Sequence, residues 1–128
     1  MKTRTVLLIS AALELVTGAA LVAVPNFVAS LLLSAGLTWP GEAVGRLGGL
    51  GLFSLAIACW PRGEGDDPQP IRGLLFYNLA AAVYLGYLRF GGGFTSYLLL
   101  PACGLHALLG LMLARPAYRS VTDRNPVR

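Results

Sequence analysis

The amino-acid sequence predicts an all-α, polytopic membrane protein, with four transmembrane helices in one bundle and a short interfacial helix between the first two. Hydrophobic residues fill 55% of the 128 positions and charged residues only 12%, about half the share in a soluble domain. The mean hydropathy is +0.66. The apolar residues gather into four stretches that are apolar on nearly every side, whereas a surface helix of a soluble domain confines them to one stripe. Glycine, proline and charge concentrate between the stretches, so residues 1–128 read as a single domain.

The spans are expected over residues 5–24, 43–60, 71–90 and 95–114, each 18 to 20 residues long. At about 1.5 Å per residue, such helices cross a hydrocarbon layer of roughly 30 Å. Pro25-Asn26 closes the first and Trp39-Pro40-Gly41 leads into the second. The polar run from Arg62 to Pro70 separates the second from the third, Gly91-Gly92-Gly93 turns the chain into the fourth, and Pro116 follows it. Residues 27–36 are too short to cross and carry Ser30 and Ser34 one turn apart, which fits an interfacial helix. Lys2 and Arg4 before an apolar run also resemble a signal peptide, but the run continues to Val24 and contains Glu14, which favours a retained span.

Eight basic residues (Lys2, Arg4, Arg62, Arg72, Arg115, Arg119, Arg124, Arg128) fall on one side of the spans, and only Arg46 and Arg89 toward the other. By the positive-inside rule both termini are expected in the cytoplasm, with the chain in a bacterial inner membrane. Trp39, Tyr87, Phe90 and Tyr97 would make the outer aromatic belt and Trp60 the inner one. Because the net charge of +4 is spread between apolar segments, a nucleic-acid partner is not expected. The expected partners are the lipid bilayer, other membrane-protein subunits and a second copy of the chain.

Counting residues along each span places Glu14, Ser54, Asn78 and His106 at similar depth, one hydrogen-bonding side chain per helix. Ionisable groups inside a membrane are costly and mark a function or a specific partner. This polar layer is the candidate binding site, and two readings of it stand open. In one, Glu14 and His106 pass protons or hold the polar head of a small ligand while Asn78 and Ser54 orient it. In the other, the four groups satisfy each other and fix helix register. Arg46 and Tyr77 are secondary candidates. Arg46 lies one turn inside the second span and is expected to reach outward to Glu42 in preference to Glu14.

The remaining motifs point away from cofactor chemistry. His106 is the only histidine, so one chain cannot supply a bis-His haem, and no Cys/His cluster has metal-ligand spacing. Glu64, Asp66 and Asp67 read as a solvated turn among glycines and prolines. Cys59 and Cys103 read as small core residues. No metal, cofactor or catalytic residue is expected. Gly45-x-x-x-Gly49, Ala82-x-x-x-Gly86 and Gly110-x-x-x-Ala114 have the spacing that lets helices approach closely, and Cys103, His106 and Gly110 share one face.

Ala12-Leu13-Glu14-Leu15, Gly45-Arg46-Leu47, Ala58-Cys59-Trp60, Leu75-x-Tyr77-Asn78 and the stretch from Pro101 to His106 together resemble a group of small bacterial four-helix membrane proteins, loosely related to the DoxX-like superfamily. The resemblance covers most of the chain and implies a four-helix bundle without a settled activity. Some DoxX-like proteins resemble subunits of membrane redox complexes, although no redox ligand set stands in this sequence. The leading functional expectation is a non-enzymatic accessory or assembly subunit of a membrane complex. The alternatives are a small-molecule carrier using the polar layer and a membrane enzyme with His106 as general base.

Overall fold

The computed structural model describes residues 2–62 and 68–122. The described chain is all-α: α1 (Thr3–Ala23), α2 (Pro25–Leu33), α3 (Trp39–Ala58), α4 (Pro68–Phe90) and α5 (Leu99–Thr122). Glu64, Asp66, Asp67, Arg124 and Arg128 lie outside the described residues.

Local chemistry sets the breaks. Val24 leaves helical geometry and its N–H bonds Ala20 O at 2.7 Å, while Pro25, which needs no N–H partner, starts α2. Ser34 closes α2 in the left-handed conformation at φ 53°. Pro40 opens α3 in the same way that Pro25 opens α2. The fourth predicted span differs at both ends. Its helix begins at Leu99, because Ser96 is spent on a turn: its hydroxyl donates to Leu31 O at 2.5 Å and accepts from Leu98 N at 3.3 Å. At the other end α5 runs to Thr122 through Pro116, which has no N–H to give to the helix.

Three helices are long and apolar enough to cross a membrane: Thr3–Ala23, Pro68–Phe90 and Leu99–Arg119. The expected second span is present as α3 but is not among them, since Glu42, Arg46 and its glycines dilute its apolar character. Large apolar side chains are exposed on every long helix, among them Val16 on α1, Val44 on α3, Phe76 and Val83 on α4 and Leu111 on α5.

The helices pack as two antiparallel pairs, α1 with α3 and α4 with α5, joined along α1. Glycine sets the first pair. A Cβ at Gly18 would lie 2.7 Å from Phe53 N and 2.8 Å from Gly49 O, and one at Gly49 would lie 2.7 Å from Gly18 O. The two backbones therefore touch, which only glycine permits. Gly45 of the same motif faces Pro25 Cβ instead. In the second pair, Cys103 Sγ reaches Ala82 O at 3.2 Å and Gly110 lies beneath Leu79. The pairs meet over a core of Val6, Leu7, Ala11, Cys59, Ile71, Leu74, Leu109, Leu113 and Ala117. Just beyond it along α1 lies the polar layer.

Candidate functional site

On α1 the buried residues Ser10, Ala11, Glu14 and Gly18 recur at helical spacing, so the carboxyl of Glu14 enters the junction on the same face as the Ser10 hydroxyl. On α4, Ile71, Leu74 and Asn78 do the same, and Tyr77 stands half-buried beside them. His106 comes from α5. Glu14 is 1% exposed, and Ser10 and Asn78 are fully enclosed.

Asn78 is the centre of the network. Its Nδ2 donates to Ser10 Oγ and to Leu74 O, each at 2.8 Å. A backbone carbonyl only accepts, so the Leu74 bond fixes which side of the amide is nitrogen. Asn78 Oδ1 then faces His106 Nδ1 at 2.9 Å. An acceptor there requires that Nδ1 carry the proton, which leaves Nε2 of the neutral ring as the free lone pair. The Tyr77 ring meets the imidazole edge-on, with centroids 5.8 Å apart.

Glu14 is only partly satisfied. The Tyr77 hydroxyl donates to its carboxylate. The other oxygen, Oε1, is buried with no hydrogen-bond partner and lies 3.8 Å from His106 Nδ1, whose proton is already directed at Asn78. A buried acceptor left unpaired costs about 1–3 kcal/mol, so Oε1 is the group with most to gain from a new donor.

Of the four residues expected in one layer, the structure brings together Glu14, Asn78 and His106. Ser54 does not join them. It is exposed on α3 and donates to Leu50 O of its own preceding turn at 2.8 Å, because α3 packs chiefly on α1 and meets the α4–α5 pair only near its end, at Cys59. Its place is taken by Ser10, which stands one helical turn before Glu14 on the same face of α1. That spacing of four was visible in the sequence, but a search for one polar residue per helix passes over it. Tyr77 stands inside the network, as the donor to Glu14.

Arg46 is not part of the site. Its Nη2 lies 3.5 Å from Glu42 Oε2, as expected, and its Nη1 donates to Val22 O at 3.0 Å. Val22 is in the last turn of α1, where carbonyls lack helical partners and a cation is favoured. Arg46 thus caps α1 from the neighbouring helix. Among the described residues no three His, Cys, Asp or Glu side chains stand close enough to share a metal ion. No family model, curated protein or solved structure matches the chain, and nothing in those comparisons bears on the DoxX-like resemblance.

Proposed function

We propose that the chain is a four-span protein of a bacterial inner membrane, with both termini cytoplasmic, and that it works as a non-enzymatic accessory or assembly subunit of a membrane complex. The observation that carries the second part is how the polar and apolar groups are distributed. The hydrogen-bonding side chains of the core bond mainly one another inside a closed junction, whereas the wide surfaces left for other molecules are apolar helix faces. The outer face of α4 is one of these, a groove of about 700 Å³ lined by Phe76, Leu79, Ala80, Val83, Tyr84 and Tyr87. Membrane helices associate through such packing together with small residues. Counting α3 as the remaining span is supported by its 20 residues and by the pairing of both its charges within its first two turns. Trp39, Tyr87, Phe90 and Tyr97 are all exposed toward one end of the molecule, as an aromatic belt requires. The deciding experiment is extraction of tagged protein from its native host in mild detergent, with particle mass and co-purifying chains identified by mass spectrometry. A stoichiometric partner is the expected result. A particle containing only this chain would reject the subunit reading.

One observation favours a second reading, a carrier for a small lipophilic molecule that bears a hydroxyl or amide donor. The unpartnered Glu14 Oε1 and the free Nε2 of His106 give such a molecule two acceptors to bond. Under that reading Glu14→Gln, which can keep its bond with Tyr77, retains the fold and loses ligand-dependent stabilisation. Under the subunit reading it leaves partner capture intact.

A further inference from the structure

In the polar layer two acceptors stand beside one donor. His106 Nδ1 lies 2.9 Å from Asn78 Oδ1 and 3.8 Å from Glu14 Oε1. A charge-assisted N–H···O bond closes at about 2.7–2.9 Å, so a movement of about 1 Å separates the second acceptor from a bond. Oε1 is buried and has no other partner. The donor is on α5, while the two acceptors belong to different helices, Asn78 to α4 and Glu14 to α1.

The charge on the ring decides between them. A neutral imidazole with its proton on Nδ1 bonds the amide. A proton added at Nε2 turns the ring into a cation, and bonds between ionised groups are about twice as strong as neutral ones, which favours the carboxylate. A proton needs no cavity to reach the pair. The His106 side chain keeps 13% of its surface open and that of Glu14 only 1%, so the ring is the side from which a proton enters. Tyr77 faces the pair from α4, donating to Glu14 and meeting the imidazole edge-on. From α3, Arg46 and Glu42 pair with each other, Arg46 reaching Val22 O near the far end of α1, and Cys59 lies in the apolar core. Residues 25–33 of α2 include no titratable side chain. On α5, Cys103 is turned to Ala82 O.

We infer that Glu14 and His106 share one exchangeable proton, and that its uptake moves His106 Nδ1 from Asn78 Oδ1 to Glu14 Oε1. The incoming proton, from water, binds the Nε2 lone pair. The proton already on Nδ1 turns to Oε1 and is shared between that nitrogen and that oxygen. Asn78 keeps the bonds from Nδ2 to Ser10 and Leu74 and gives up its bond to α5. His106 therefore ties α5 to α4 in one state and to α1 in the other, a contact with two positions set by pH. The exchange goes beyond both readings above, since it needs neither a partner subunit nor a carried molecule.

His106 is the only histidine, so isotopic labelling of histidine nitrogen in the full chain, in detergent, reports this ring alone by NMR. At about pH 8 the signals should show a proton on Nδ1 and none on Nε2; by about pH 5, across the range in which an imidazole changes charge, Nε2 should carry one. The Asn78 side-chain amide signal should move with the same midpoint. In Glu14→Gln, which keeps a partner for the Tyr77 hydroxyl but has no carboxylate to share a proton, the Asn78 signal should stay in place. A cycle of Glu14→Gln with His106→Phe, followed by unfolding, should show a coupling about fivefold larger at about pH 5 than at about pH 8. An Nε2 that stays unprotonated across this range would overturn the shared proton. An Nε2 that gains its proton while the parent's Asn78 signal stands still, or a coupling equal at both pH values, would overturn the exchange of partners. The NMR titration of the unaltered chain decides the matter even where a variant fails to fold.

Discussion

Replacing Asn78 with leucine removes the side chain that joins all three elements of the junction while keeping nearly its volume. The structure gives that residue three hydrogen bonds, to Ser10 Oγ at 2.8 Å, Leu74 O at 2.8 Å and His106 Nδ1 at 2.9 Å. Hydrogen bonds between membrane helices average about 0.6 kcal/mol, so the two that leave α4, to Ser10 and His106, amount to about 1 kcal/mol. The groups left behind decide the rest. Leu74 O keeps its helical N–H, and the Ser10 hydroxyl can turn to the carbonyl one turn back. The His106 Nδ1–H has only Glu14 Oε1, 3.8 Å away, and must move to reach it. An orphaned donor costs about 1–3 kcal/mol, which brings the expected loss for Asn78→Leu to about 2–4 kcal/mol. Unfolding in mixed micelles by titration with a denaturing detergent measures it, and a cycle with Ser10→Ala isolates the Asn78–Ser10 bond. A loss below 0.5 kcal/mol for Asn78→Leu, within the ordinary scatter of about ±0.5 for surface changes, would refute the assigned network.

Other substitutions separate the packing contacts from the polar ones. Gly18→Ala and Gly49→Ala each place a methyl under 3.0 Å from the facing backbone and should lower stability by about 1–3 kcal/mol, whereas Gly48→Ala and Gly51→Ala meet open space and should be neutral or gain up to about 1 kcal/mol of helix propensity; the same detergent titration reads all four. Ser54→Ala, on an exposed face of α3, should stay within about 0.5 kcal/mol of the parent in that titration. Arg46→Met keeps the aliphatic stem but removes the cap on Val22 O and the Glu42 pair, so a thermal melt in detergent should show a loss of about 1–2 kcal/mol. Glu14→Leu should cost more than Glu14→Gln, because only the glutamine keeps a partner for the Tyr77 hydroxyl.

Much of the fold is legible in the sequence because the membrane pattern is written in long blocks. The helices, their order and the turns at Pro25, Pro40 and Gly91 follow from apolar runs broken by residues that cannot continue a helix. The convergence of Glu14, Asn78 and His106 is legible as well, since depth along a span is only a residue count. Rotation about each helix axis is not given by that count. Ser54 lies at the right depth and points the wrong way, and Ser10 lies one turn from the expected depth and points inward. Neither fact follows from composition when a helix is apolar all round, because no polar stripe marks the buried side. Leu99 as the start of α5 was hidden for a related reason: Thr95 and Ser96 sit in an apolar run, and only the distant Leu31 carbonyl shows why Ser96 leaves the helix.

The missing rotation has a geometric source in α1. Ser10, Glu14, Gly18 and Val22 form one row at a spacing of four, and such a row drifts by about 40° around the helix at each step. Its first two members meet Asn78, Tyr77 and His106, and its last two meet Gly49, Phe53 and Arg46. One continuous row therefore serves two neighbours, α4 and α5 near the start of α1 and α3 near its end. This is why α3 contributes nothing to the polar layer although Ser54 lies at the counted depth. The α3 backbone is pulled onto α1 at Gly18 and Gly49, beyond Glu14, and the outward turn of Ser54 follows from that contact. A bulky residue at Gly49 should therefore shift α3 and leave the Asn78–His106 bond in place. Chemical-shift or cysteine-crosslinking measurements on Gly49→Val that show the polar network disrupted along with α3 would reject this division of α1 between its two neighbours.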